Sequence, residues 1–187
     1  MGRIRYGIKN VHYAVATAGQ DEALTYATPI AVPGAKSISL DAQGESTDEY
    51  ADNVVWWHGD VNSGYSGTLE FEDTAAAETF MQTVLGQTKD QTTGTVVEKS
   101  SDQQKEFALG FEFTLDGGTE TGKRIWMLRC KMSRPQISGA TKEANVAAQT
   151  QTVNLTCMAR ANDDKVKTSA NSADSSYANW FTAVVEA

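Results

Sequence analysis

Apolar and polar residues alternate along much of this chain. The pattern is clearest over residues 107–115, where Phe107, Leu109, Phe111, Phe113 and Leu115 fall on one face with the period of a half-buried β-strand. Trp126, Leu128, Cys130 and Met132 repeat it, and residues 116–123, rich in Asp, Gly and Thr, read as the turn of a hairpin between the two runs. Val153, Leu155, Cys157 and Ala159 predict a further strand. Nearer the start, Val11, Tyr13 and Val15 alternate with His12 and Ala14, and Ile38 with Leu40 marks a short strand after Pro33-Gly34. One segment, residues 74–85, has a helical signature: Asp73 is placed to cap it, three alanines follow, Phe80, Met81, Val84 and Leu85 form an apolar stripe, and Gly86 sits at the stop. Antiparallel strands with one helix packed on them predict a mainly β fold, a two-sheet β-sandwich or partly closed barrel with one flanking α-helix.

Two stretches do not read as core. Residues 41–66 form a long inter-strand loop, too long for an ordinary connection, yet they carry Tyr50, Val54, Val55, Trp56, Trp57 and Tyr65, which are costly to leave in water. Something other than their own loop is expected to bury them. Residues 167–176 are a Ser/Ala/Asn/Asp linker, followed by Trp180, Phe181, Val184 and Val185, which suggests an arm that docks an apolar tip. The expected organisation is a β domain over residues 1–160 and a linker with C-terminal arm over residues 161–187.

A length of 187 residues suits one domain with arms, and no stretch approaches the roughly 18 apolar residues of a membrane span, so no membrane insertion is expected. The basic start, with Arg3 and Arg5, leads into no apolar run of the secretory type, and Gly2 lacks the context of a myristoylation site. Cys130 and Cys157 are too few for a disulfide framework or a four-cysteine zinc site and are expected to be buried thiols.

The net charge of −8 changes the picture because it is unevenly spread. Residues 37–88 hold no Lys or Arg but ten acids: Asp41, Glu45, Asp48, Glu49, Asp52, Asp60, Glu70, Glu72, Asp73 and Glu78. Residues 1–36 lean basic, with Arg3, Arg5, Lys9 and Lys36 against Asp21 and Glu22. A chain of this balance repels nucleic acid at long range.

Candidate chemistry is sparse. The spacing from Gly117 to Gly122-Lys123 resembles a phosphate loop, but Arg124 stands where Ser or Thr should hold magnesium, and the context is strand to strand. His12 and His58 read as surface or interface residues, and Asp48, Glu49 and Asp52 lack calcium-loop spacing. Asn154 opens a glycosylation sequon, but inside an expected strand. No catalytic, cofactor-binding or metal-ligating set emerges, and no enzyme is expected. Trp56, Trp57 and Tyr65 leave one alternative, a carbohydrate-binding β-sandwich module with an aromatic platform. A protein–protein anchor is preferred, because adjacent Trp side chains of a regular strand face opposite ways and Trp and Tyr are enriched in interface cores.

An ordered set of segments carries a resemblance. It runs through Ile8-Lys9-Asn10-Val11-His12-Tyr13, Tyr26-Ala27-Thr28-Pro29-Ile30, Val32-Pro33-Gly34-Ala35-Lys36-Ser37-Ile38-Ser39-Leu40, Tyr50-Ala51-Asp52-Asn53 and Gly64-Tyr65-Ser66-Gly67-Thr68-Leu69-Glu70. The helix ending in Leu85-Gly86, Arg134-Pro135, Ala140-Thr141-Lys142-Glu143 and the strand from Thr152 to Thr156 complete it. Together they resemble the major tail proteins of siphophages and prophages of Gram-positive bacteria, over roughly residues 6–160; the stretch from Trp56 to Asp60 and the last 25 or so residues depart from the family pattern. The resemblance implies the two-sheet fold with flanking helix shared with contractile-tail and type VI secretion tube proteins. It also implies rings, usually hexameric, that stack head to tail around a tape-measure protein, with terminator and distal-tail initiator proteins at the ends. Double-stranded DNA would pass through without specific binding. The setting would be the virion tail, assembled in the host cytoplasm, with no catalysis and no cofactor.

Head-to-tail stacking needs two different, complementary faces on each subunit. The residues expected to supply the assembly interface are Tyr50, Trp56, Trp57, Tyr65, Trp180 and Phe181. Asp41, Glu45, Asp48, Glu49, Asp52 and Asp60 are expected to form an acidic loop or to line a channel that a polyanion can slide through. By the same resemblance, strand edges of neighbouring subunits are expected to join into a continuous inner barrel.

Overall fold

The computed structural model describes residues 4–117, 119–141 and 148–186. Gly2 and Arg3 of the basic start, Gly118 of the 116–123 turn and Lys142-Glu143 of the resemblance lie outside the described residues. The chain is mainly β. In order it forms β1 (Ile4–Ala18), β2 (Leu24–Tyr26), β3 (Ile30–Ala31), β4 (Ala35–Gln43), β5 (Ser46–Ala51), β6 (Val54–Asp60), β7 (Gly64–Glu72), α1 (Ala75–Leu85), β8 (Thr88–Lys89), β9 (Val96–Val97), β10 (Phe107–Asp116), β11 (Gly122–Met132), β12 (Thr150–Met158) and β13 (Lys167–Asn171). One large antiparallel sheet follows the path β2-β1-β10-β11-β12-β7-β4, with β3 added to β1 and β13 to β11; β5-β6 and β8-β9 are separate two-stranded sheets. The path curls, so that the start of β4 lies back beside the middle of β1.

The alternation of residues 107–115 does what its period predicts. Phe107, Leu109, Phe111 and Leu115 are buried on the inner face of β10, with Phe113 half-buried beside them. On the other face, Gly110 leaves the space in which the Trp126 ring lies, and a Cβ there would meet that ring at 2.6 Å. The four-residue pattern of β11 is divided instead of continuous. A register shift against β10 separates Leu109↔Met127 from Phe107↔Cys130. The extra residue turns the strand over: Trp126 and Leu128 join an outer cluster with Ala14, Ala108, Ala170 and Trp180, whereas Cys130 and Met132 join the inner core. The two thiols are free, fully buried and directly opposite each other on β11 and β12, and burial pushes the Cys130 thiol well up.

Helix α1 closes the inner core. Its cap is Thr74, not Asp73: the Thr74 hydroxyl accepts from the Ala77 amide at 3.1 Å, so the helix begins one residue later than an Asp73 cap would place it. Gly86 ends it in the left-handed conformation, at φ 75°. Phe80 is fully buried and packs on Tyr13 and Phe107, with ring centroids 4.7 and 5.4 Å away.

One carboxylate is sealed in the sheet. Glu112 is 3% exposed, and receives hydrogen bonds from Asn10 Nδ2 at 3.0 Å, Arg124 Nε at 2.8 Å and Tyr177 Oη at 3.0 Å. Burial alone would raise its pKa, but these donors outweigh it and hold the carboxyl below its ordinary value. A carboxylate with a depressed folded pKa contributes stability that is present above its unfolded value of about 4.3 and is lost as pH falls through the folded value. Glu112→Gln is therefore expected to cost about 3 kcal/mol at pH 7, because it leaves Arg124 half-satisfied. The cost should shrink when the two denaturation curves are compared at pH 3. An equal difference at both pH values would remove the charge from the explanation.

The segment expected to be a linker and C-terminal arm is built into the same body. Within residues 167–176, β13 pairs with the first half of β11, from Lys123↔Asn171 to Met127↔Lys167. Trp180 is 2% exposed and lies on the outer face of the sheet. The Trp126 indole N–H donates to the Trp180 carbonyl at 3.0 Å, and Phe181 stacks on His12 with centroids 4.3 Å apart. Buried Arg160 fastens the end of the chain through Asp163 and Glu186. The apolar tip does dock, but on its own subunit.

Candidate assembly surface

Residues 41–66 are not a loop. The ladder of β4 and β7 continues past Gln43↔Gly64 through Ser63 N–H to Gln43 O at 2.9 Å and Val61 N–H to Glu45 O at 2.9 Å, into the β5-β6 pair. A single bent hairpin results. Gly44 permits the bend, since a Cβ there would sit 1.9 Å from the Val61 carbonyl oxygen. At the far end Asp52 and Asn53 take φ values of 51° and 62°, the two consecutive left-handed residues of a two-residue hairpin turn. From Gly44 to Asp52 the arm reaches roughly 25 Å at the rise of an extended strand.

Among the described residues the two strands β5 and β6 pair only with each other, and two strands alone are marginally stable in water. The arm also leaves a run of large apolar side chains uncovered, in addition to scattered ones such as Ile4, Tyr6 and Ile137 elsewhere. Trp56 is 74% exposed, Tyr50 68%, Val54 56%, Trp57 55% and Val55 49%. A register shift between Glu49↔Trp57 and Tyr50↔Val55 leaves Trp56 without a cross-strand partner. This bulge removes the strict alternation on which adjacent Trp side chains would face opposite ways. Trp57 folds along the strand over Gly59, where a Cβ would meet its ring at 2.2 Å.

The acids lie along the same arm. Asp41 is on β4, Glu45 at the bend, Asp48 and Glu49 on β5, Asp52 at the tip and Asp60 at the end of β6, all of them exposed. His58 is cross-strand from Asp48 and hydrogen-bonded to it, with Asp60 Oδ1 3.2 Å from its other ring nitrogen. The Asp48 hydrogen bond, aided by the charge of Asp60, raises the His58 pKa. Glu49 and Asp52 have no ion-pair partner among the described residues.

The other expected interface residues lie elsewhere. Tyr65 sits at the root of the arm, eight positions beyond Trp57 along the chain, and its hydroxyl accepts from Lys167 Nζ at 2.7 Å. Trp56, Trp57 and Tyr65 therefore do not share one platform within a subunit. Trp180 belongs to the outer core and is withdrawn from any interface, and Phe181 is half-buried against His12 and Trp126. Sequence reasoning missed Lys167 against Tyr65 and Arg5 over Phe113; both look like ordinary surface cations until the strands that carry them are brought together. Set against known proteins, the chain matches no family model and no curated protein.

Proposed function

We propose that this chain is the structural subunit of a siphophage tail tube, a major tail protein that assembles into rings, hexameric by analogy, stacked head to tail. The observation that carries the reading is the β5-β6 arm. A two-stranded, aromatic and acidic ribbon that none of the described residues covers is an unfinished structure, and a second subunit is what finishes it. The ordered resemblance to siphophage major tail proteins supports the same reading. So does the curled antiparallel sheet with one helix against it, which we read as the two-sheet, partly closed barrel of tube proteins.

In this reading the arm supplies one face of a heterologous contact that repeats without closing, and neighbouring strand edges join around a channel. The acids of residues 37–88 leave the assembly a surface over which DNA slides without binding. A tape-measure protein would occupy the channel during assembly, terminator and distal-tail proteins would cap the tube, and the product would belong to the virion. Negative-stain electron microscopy across a concentration series, with sedimentation velocity alongside, tests the proposal. Hollow tubes or rings of one width are expected. Particles that remain monomeric even when mixed with a tail initiator complex would overturn it.

A further inference from the structure

Between β1, β4, β7, β10, β11 and β13 lies a cavity of about 290 Å³, open to solvent. Its floor is apolar: Ile38, Leu40, Phe113 and Ile125 pack on the inner core but are left half-exposed where they line it. Its rim carries two cations. Arg5 lies over the Phe113 ring, 4.6 Å from the centroid, and Lys167 Nζ lies 4.6 Å from the centroid of Tyr65. Many of the other cations are matched to acids: Lys9 and Arg124 to Glu112, Arg129 and Lys131 to Glu106, Arg160 to Asp163 and Glu186. Arg5 and Lys167 have no carboxylate within ion-pair distance among the described residues, and rest on aromatic faces instead.

An apolar floor with unmatched positive charge at its edge calls for an occupant that is apolar at its centre and acidic at its margin. The molecule carries one such feature. On the β5-β6 arm Glu49 stands directly across from Trp57, Asp52 caps the turn, and neither acid is paired among the described residues. Residues 37–88 contain no Lys or Arg that would oppose Arg5 or Lys167, and His58 is held between Asp48 and Asp60. This leaves Glu49 and Asp52 as the free charges of the outer half of the arm, with Glu45 at the bend. The cavity is near the lower end of the size range of binding pockets, enough for one or two side chains and not for a folded surface.

The geometry points to the cavity as the acceptor for the β5-β6 arm of a second copy, with an aromatic of the arm on the apolar floor and Glu49 and Asp52 against Arg5 and Lys167. This rests on the tail-tube reading and names the two surfaces that meet in it. The arm of the same chain does not fill the site, because its apolar residues are exposed while the cavity stands open. One arm and one acceptor per subunit give a contact that propagates.

The test uses the full chain. Equal amounts of ¹⁴N- and ¹⁵N-labelled protein are mixed and treated with a zero-length carbodiimide, which joins a Lys amine to a carboxylate in contact with it. A mixed-isotope peptide linking Lys167 to Glu49 or Asp52 is expected. Arg5→Glu/Lys167→Glu should raise the concentration for half-assembly about tenfold or more with an unchanged melting temperature. Glu49→Lys/Asp52→Lys should do the same, and mixing the two variants should restore growth with the two chains alternating, since the unsubstituted arm of one meets the unsubstituted acceptor of the other and the two reversed surfaces are again complementary. Tubes that form without a Lys167 link, or that form normally from the Arg5→Glu/Lys167→Glu chain, would overturn the docking and leave the tube reading standing. A Lys167 link confined to dimers, with no tube under any condition, would do the reverse. Links of Lys167 to other carboxylates, or only between like isotopes, would reject the arm of a second copy as the occupant.

Discussion

The Trp56→Ala/Trp57→Ala chain is expected to melt within about 3 °C of the unsubstituted protein and yet to remain monomeric where that protein forms rings and tubes. Both side chains are more than half exposed, so their removal takes little packing from the folded subunit, and substitutions of that kind usually change stability by less than about 0.5 kcal/mol each. Their worth lies in a contact not yet made. Truncating a Trp at the centre of an interface costs on the order of 2 kcal/mol or more. Two of them correspond to roughly a thousandfold loss in association, at about 1.4 kcal/mol per factor of ten. The thermal melt and the sedimentation profile should therefore separate cleanly. Tubes of normal width from the double variant would sink the arm as the assembly element, and a large fall in melting temperature would mean that the two Trp residues hold the hairpin to its own subunit.

Much of the β architecture was legible because its residues announce it locally. The run from Phe107 to Leu115 keeps its alternation without interruption, and α1 is delimited by a capping side chain and a left-handed Gly86 that any reading of residues 73–86 would weigh. The arm was not legible as strands, for two physical reasons. Its turn is Asp52-Asn53 and not the more familiar Asn-Gly or Asp-Gly, and the bulge at Trp56 breaks the period within the run Val54-Val55-Trp56-Trp57. A reading that depends on alternation sees a loop there. Its exposure was legible all the same, since aromatics crowded among acids have no obvious place in a core. The cavity was beyond reach of the sequence, because Arg5 and Lys167 lie on β1 and β13 and meet at one opening only through the path of the large sheet.

The C-terminal residues give the second large effect, on stability and not on assembly. Strand β13, Lys-Thr-Ser-Ala-Asn, has the composition of a linker and little apolar surface of its own. It is held because Ala170 and Trp180 complete the outer cluster with Trp126 and Leu128, so a residue ten positions downstream decides whether the strand is buried. Trp180→Ala empties that site. A fully buried Trp replaced by Ala costs about 3–5 kcal/mol, a large part of the 5–15 kcal/mol that holds a typical domain together. For a domain of this size that corresponds to a fall of roughly 10–15 °C in melting temperature. Trp180→Phe separates packing from hydrogen bonding. The indole N–H of Trp180 has no partner among the described residues, whereas its backbone carbonyl, which accepts from Trp126, survives any substitution. Phe keeps most of the apolar body and removes an unsatisfied donor, so it is expected to cost less than half as much as Ala. Urea denaturation of the three chains measures both differences. A loss below about 1 kcal/mol for Trp180→Ala would mean that residues 177–186 add little to the fold and would make Trp180 available to a neighbouring subunit after all.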